Sequence, residues 1–318
     1  LSKESALELL RQIIDGAGTN RIDAELAIAK ALCERVGYLP LGLELLGYFL
    51  KNKPRMSLAK LQQRLEKNRL NAKAFQAAHP GMTAKLGVYE AFELSWAELS
   101  EAGQGMACWL SLFGLAPIPW GLAAARVNEE ERDDWDDTRD DELLKLSLLQ
   151  DLGGDSYQLH QLVREFLLAK LEEQGEKESL KEAYCGLMVS IAQQMPQSPT
   201  QELIGQLSPL VTHMEEVATR WQIFLGDEEN ALIWPFVFLA RFYQGQGAYD
   251  NAEPWYENSL QTTRQRFGNE HPDVATSLNN LAELYRSQGR YEDAEPLYVD
   301  ALEMRKKLLG DEHPDVAT

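Results

Sequence analysis

Two stretches near the C-terminal end carry one hydrophobic pattern, offset by 42 residues. His271-Pro-Asp-Val-Ala-Thr276 recurs as His313-Pro-Asp-Val-Ala-Thr318, and Ala248-Tyr-Asp-Asn-Ala-Glu-Pro-Trp-Tyr256 recurs as Arg290-Tyr-Glu-Asp-Ala-Glu-Pro-Leu-Tyr298. Two separate blocks agreeing on one period mark an internal repeat. Within the second unit, Leu278, Leu281, Ala282 and Tyr285 fall on one face of a helix, which Gln288-Gly289 ends. A second helix places Tyr291, Ala294, Leu297, Tyr298, Ala301 and Leu302 on its inner face. Ala282, Ala294 and Ala301 let the two axes approach closely, while Tyr285 and Tyr298 fill the space between. The unit before it matches with Phe236, Leu239, Ala240, Tyr243, Gly247, Tyr249, Ala252 and Tyr256. It departs at Ser259, where the later unit has Ala301.

The N-terminal 70 residues also read as helices. Ser2 begins the first, and Asp23 is the expected N-cap of the next. Leu45, Leu46, Phe49 and Leu50 mark a third helix; Leu58, Leu61 and Leu65 mark a fourth. His79-Pro-Gly81 reads as a turn and a domain boundary. Beyond it, helices are expected at Val88–Leu99, Gln104–Phe113 and Asp141–Leu149. Asp151-Leu-Gly-Gly-Asp155 reads as the turn of a small hairpin, and Leu159–Leu167 as the opening of a further helix. That order predicts a winged helix. Glu172–Asp227 is polar and helical, with a break near Met195-Pro196.

Length and composition refine this picture. A chain of 318 residues exceeds one compact core and predicts two to four domains or a repeat array. With 44% hydrophobic and 25% charged residues it has the material of an ordinary globular protein. A net charge of −19 repels nucleic acid and anionic membrane, so neither is an expected partner. Ten of the acidic residues lie in Val127–Glu142, which reads as a solvated acidic loop. The candidate DNA-recognition stretch, Pro119–Val127, holds only Arg126 as a basic residue. No apolar run approaches the ~18 residues of a membrane span. Cys33, Cys108 and Cys185 are far apart within helical patterns, which predicts buried thiols in a reducing cytoplasm. The start, Leu1-Ser2-Lys3-Glu4, has neither an initiator Met nor a signal peptide and reads as internal to something larger. The five histidines are dispersed and no triad or metal set assembles, so no enzyme and no metal is expected.

The repeated pattern resembles the tetratricopeptide repeat, specifically over residues 233–309, and its 42-residue period with a His-Pro-Asp-Val-Ala start resembles the kinesin-light-chain subtype. The usual period is about 34, so the extra residues lengthen the second helix and its loop. In such arrays the first helices line a concave face. That resemblance places Thr276, Asn279, Glu283, Arg286 and Ser287 of the second unit there, with Asn280 nearby. In the first unit it places Trp234, Val237, Arg241, Gln244 and Gly245. The second set is polar and suits an extended peptide or a protein surface. Trp234 is either an interface anchor or core packing against the preceding helices.

Upstream, Gly37-Tyr38-Leu39-Pro40-Leu41-Gly42-Leu43 resembles the "G-L-P-L-A-L" motif of NB-ARC (STAND-class) signalling ATPases. Tyr157-Gln158-Leu159-His160-Gln161-Leu162-Val163 resembles their "M-H-D" motif, with Gln161 in place of the aspartate. The resemblance implies nucleotide contacts by Pro40 and His160, with ADP or ATP as cofactor of a longer protein. From the residues alone, Pro40 suits a helix first turn, and His160 the winged-helix core or a cap of the helix it starts. No G-x-x-x-x-G-K-[ST] occurs, and Gly16-Ala17-Gly18-Thr19 lacks its lysine, so no cofactor is expected for this chain itself.

The expected fold is therefore mainly α. A helical domain spans 1–80, a winged-helix domain with a small β-hairpin 81–175, a helical connector 176–228, and an α-solenoid of tetratricopeptide-type hairpins 229–318. The expected function is the non-catalytic, cytoplasmic arm of a STAND-type ATPase. It would contact its own upstream nucleotide-binding domain and bind a protein or peptide partner through the repeats. The alternative is a stand-alone tetratricopeptide adaptor.

Overall fold

The computed structural model describes residues 1–15, 18, 20–67, 86–226, 231–310, 313 and 316. The turns expected at His79–Gly81 and across most of 16–19 lie outside the described residues. The chain divides into two compact units, Leu1–Lys177 and Glu178–Thr318.

The N-terminal unit opens with α1 (Lys3–Asp15), α2 (Arg21–Ala24), α3 (Leu26–Arg35), α4 (Pro40–Lys51) and α5 (58–67). The Ser2 hydroxyl accepts the Ser5 N–H and starts α1, as expected. Asp23 does not cap. The Asp15 carboxylate accepts the N–H groups of Arg21 and Ile22, so a helical turn begins two residues before Asp23, which pairs instead with Arg11 at 2.7 Å. Glu25 plays the capping part for α5, accepting the N–H groups of Leu58 and Ala59. Between α3 and α4 the chain reverses through Gly37 and Tyr38, both at positive φ (66° and 58°). A glycine meets that requirement at little cost; a tyrosine there is held by its N–H bond to the Cys33 carbonyl.

The same unit continues with α6 (Leu86–Trp96) and α7 (Glu101–Ser111). Ser100 caps α7 by accepting the Gly103 N–H, so the helix starts three residues before the expected Gln104. A three-stranded antiparallel sheet follows, in the order β1 (Ile118–Pro119), β3 (Ser156–Gln158), β2 (Gln150–Gly153). Gly154 and Asp155, both at positive φ, make the tight turn of the expected hairpin. Between β1 and β2 lie α8 (Trp120–Ala123) and α9 (Arg132–Thr138), the latter running into a wide π-type turn at Arg139–Leu144.

Two expectations fail here. The acidic stretch is largely helical, and the helix ends by Leu144 instead of occupying Asp141–Leu149. Arg139 explains the shift: its guanidinium lies over the Trp120 ring (4.5 Å) and the Tyr157 ring (4.8 Å). Trp120 in turn donates to Asp136. An acidic segment with one buried arginine thus gains a docking point on the sheet, and α9 forms around it. The unit closes with α10 (Gln161–Glu172), whose Phe166 packs on Phe92 with ring centroids 5.1 Å apart.

In the C-terminal unit, α11 (Lys177–Ala192) precedes a non-helical run at 195–200, the expected break. Then come α12 (Gln201–Leu207), α13 (Val211–Glu216), and two hairpins: α14 (Trp234–Gly245) with α15 (Tyr249–Phe267), and α16 (Pro272–Ser287) with α17 (Tyr291–Leu309). Gly247 and Gly289, both at φ 75°, end the first helix of each hairpin in the same way. The N–H of Ala248 reaches the Tyr243 carbonyl and that of Arg290 the Tyr285 carbonyl, the paired closure of a Schellman motif. His271 caps α16 through Nδ1, and its ring stacks on Phe267 at 4.1 Å.

The repeat core joins Ala240, Ala252, Tyr256, Val274, Leu278, Leu281, Ala282, Ala294 and Ala301. Ser259 departs from the alanine pattern because its hydroxyl meets the Ser277 hydroxyl at 3.1 Å inside the core. Tyr291 and Leu302, expected on the inner face, are 68% and 40% exposed. Their equivalents, Tyr249 and Leu260, lie on a helix that is followed by α16; no described helix follows α17.

All three cysteines are buried, as expected. Burial pushes the Cys33 thiol up to about 11 and those of Cys108 and Cys185 up to about 12. They are protonated, chemically quiet core residues.

Candidate functional site

The polar face of α16 builds from one spacing. Thr276, Asn279, Glu283, Arg286 and Ser287 recur at three- and four-residue steps, so they form one stripe along the helix opposite its buried Leu278, Leu281 and Ala282. Glu283 sits at its centre. Its carboxylate accepts from the Arg286 guanidinium and from the Tyr298 hydroxyl of α17, the latter at 2.7 Å. The Arg286 hydrogen bond first, and the Tyr298 one with it, hold the Glu283 carboxyl below its usual range. Burial, reinforced by Glu283, pushes the Tyr298 phenol up to about 12. At neutral pH the stripe therefore presents a carboxylate, a guanidinium and a neutral phenol whose charges are matched.

Asn279 and Asn280 differ from these. Both are half-buried, and among the described residues neither side-chain amide has a hydrogen-bond partner. Each such amide offers two donors and an acceptor, the complement of a peptide backbone. Thr276 is committed to the Pro272 carbonyl, and Ser287 receives a 3.4 Å contact from the Gln244 amide. That contact links the ends of α14 and α16.

The first hairpin is arranged differently. Val237 is 2% exposed and belongs to the repeat core, so it presents no surface. Trp234 packs against that core while remaining partly exposed, with the Arg241 guanidinium 6.0 Å from its ring. Arg241 also donates to the Met195 carbonyl at 2.8 Å. Tyr256 donates to Gln244. Of the residues expected on the concave face, the second hairpin thus presents its set as a polar stripe, whereas the first has committed most of its own. Sequence periodicity could not show this, because Met195 is 46 residues from Arg241 and belongs to no repeat. Tyr298 was legible only as a space-filling residue; its hydroxyl contact with Glu283 joins it to the stripe.

A tetratricopeptide repeat family model matches residues 231–307 and again 281–318. Both C-terminal hairpins are thus similar to tetratricopeptide repeats. The match covers the four helices α14–α17 and continues to Thr318, in keeping with the 42-residue period. No curated protein matches the chain. These repeats suggest a protein-interaction role, and no helix among the described residues is long and apolar enough to cross a membrane.

In the N-terminal unit, Pro40 stands exposed in the first turn of α4. His160 is the exposed N-cap of α10, its Nδ1 accepting the Leu162 N–H at 3.1 Å. With Nδ1 so occupied, the neutral ring carries its proton on Nε2 and can donate outward. Gln161 bonds within its own helix, to Glu165.

Proposed function

We propose that the chain is a non-catalytic binding module whose second tetratricopeptide hairpin holds an extended peptide or protein segment along the α16 stripe. The observation that carries this is the pair of half-buried amides, Asn279 and Asn280, which among the described residues have no hydrogen-bond partner, beside the charge-matched Glu283–Arg286 pair. Side chains of this kind contribute when a ligand backbone satisfies them. Peptides selected on the chain from a random displayed library are expected to lose affinity when Asn279 and Arg286 are both alanine.

On a second reading the module is the cytoplasmic regulatory arm of a STAND-type ATPase, with residues 86–172 as a winged helix that couples partner binding to a nucleotide switch. Support comes from the three-stranded antiparallel sheet between α7 and α10 and from the exposed position of His160 at the helix cap. The residues that would cradle β- and γ-phosphates are those of a Walker A motif, which this sequence lacks. Titration calorimetry of the 318-residue chain with ADP is accordingly expected to give no measurable heat of binding. Tight binding that His160→Ala leaves intact would count against this role for His160.

A further inference from the structure

The first hairpin's ligand face is already in use. The run from Met195 to Ile204 lies against the end of α14 and is fastened at three points. The Arg241 guanidinium donates to the Met195 carbonyl at 2.8 Å, and the Gln201 amide donates to the Gly245 carbonyl at 2.8 Å. Between these, Gly245 leaves a notch: a Cβ there would stand 2.6 Å from Ile204 Cδ1 and 2.7 Å from Pro199 Cγ. Arg241 and Gly245 are two of the five residues that the repeat resemblance assigns to the ligand face of α14.

The run has the character of a bound peptide. Residues 195–200 are neither helix nor strand, include Pro196 and Pro199, and leave Gln197 and Ser198 exposed. Thr200 adopts φ −75°, ψ 158°, the polyproline conformation, before capping α12 by accepting the Leu203 N–H. Ile204 and Met195 are buried at either end.

We propose that residues 195–204 are a built-in ligand. On this proposal Arg241 and the Gly245 notch form a peptide subsite for a proline-containing segment that is extended up to Thr200 and then turns helical, bringing an aliphatic residue to the notch. The proposal rests on the reading of the A-helix face as the ligand face. It adds that an outside partner reaches the first hairpin only by displacing this strap, and otherwise engages α16 alone. A short tether gives the strap an effective concentration of order ~1 mM, so it outcompetes a weak outside ligand of the same sequence.

The probe is a fluorescein-labelled peptide of residues 193–207 added to the full chain and read by anisotropy. Ile204→Asp removes the strap's aliphatic anchor while leaving the receptor residues in place. It is expected to bind the peptide about tenfold more tightly than the unaltered chain. Adding Gly245→Leu fills the notch and is expected to return binding to the unaltered level. Gln201→Ala breaks only one exposed hydrogen bond and is expected to give a smaller gain, about fivefold. It serves as the test should circular dichroism show Ile204→Asp unfolded. A folded strap variant that binds no better than the unaltered chain, or binding indifferent to Gly245→Leu, overturns the proposal. Retained dependence on Asn279 and Arg286 in that event would leave the α16 reading standing. Loss of both would remove the ligand face itself.

Discussion

Replacing Arg35 by leucine is expected to destabilise the N-terminal unit by about 3–5 kcal/mol, because it strands a buried carboxylate. Glu90 is 2% exposed on α6, and its carboxylate is held by the Arg35 guanidinium at the end of α3. Neither helix can move away to rehydrate it. Gly87, one turn before Glu90, lets α6 approach so closely that a Cβ there would overlap the Arg35 carbonyl. Denaturant unfolding of the variant should show the loss in the transition of this unit, with the transition of the repeats unmoved. Glu90→Leu on top of Arg35→Leu should recover most of it, since two apolar groups replace the pair. A loss below about 1 kcal/mol for the single variant would show that the pair is not the structural tie described here.

The second large effect separates the inside of the repeats from their open side. Leu278, 1% exposed in the repeat core, is expected to cost about 2–5 kcal/mol when cut to alanine, through lost burial and the cavity left behind. Tyr291, larger and aromatic but 68% exposed, is expected to cost no more than about 0.5 kcal/mol in the same change. Thermal unfolding of the two variants side by side gives the comparison. Equal losses would mean that α17 buries its outer stripe in solution, as the helical periodicity alone predicts.

That contrast also shows what the sequence could and could not convey. The repeats were legible because one unit echoes another; their helix-ending glycines and their core alanines follow from spacing alone. The small hairpin was legible because a Gly-Gly-Asp turn has few alternatives. Periodicity assigns a face but not a neighbour, so Tyr291 and Leu302 read as buried although no described helix lies beyond α17. Asp23 had the right chemistry for a cap, but Asp15, eight residues away, had already taken the N–H groups that open α2. The acidic segment looked like a solvated loop because its single anchor, Arg139 between Trp120 and Tyr157, depends on residues 19 before and 18 after it. In the candidate site, the polar residues of α16 were all named by position, yet their grouping was not. The Glu283–Tyr298 contact ties the centre of the stripe to α17, while among the described residues the amides of Asn279 and Asn280 have no hydrogen-bond partner. The strap over Arg241 belongs to a non-repeating segment and carries no periodic signal.

These particulars narrow the binding surface. On the proposed reading the first hairpin is taken up by the chain's own connector, and Val237 is core. That reading assigns a partner to the stripe from Thr276 to Ser287. The most direct measurement takes the tightest peptide selected on the unaltered chain and titrates it calorimetrically into the Asn279→Ala/Arg286→Ala variant. The expected result is an affinity at least about tenfold weaker, the equivalent of one or two hydrogen bonds, with an unchanged melting temperature. Equal affinity for the two proteins would contradict the assignment of the α16 face as the site where this chain holds its partner.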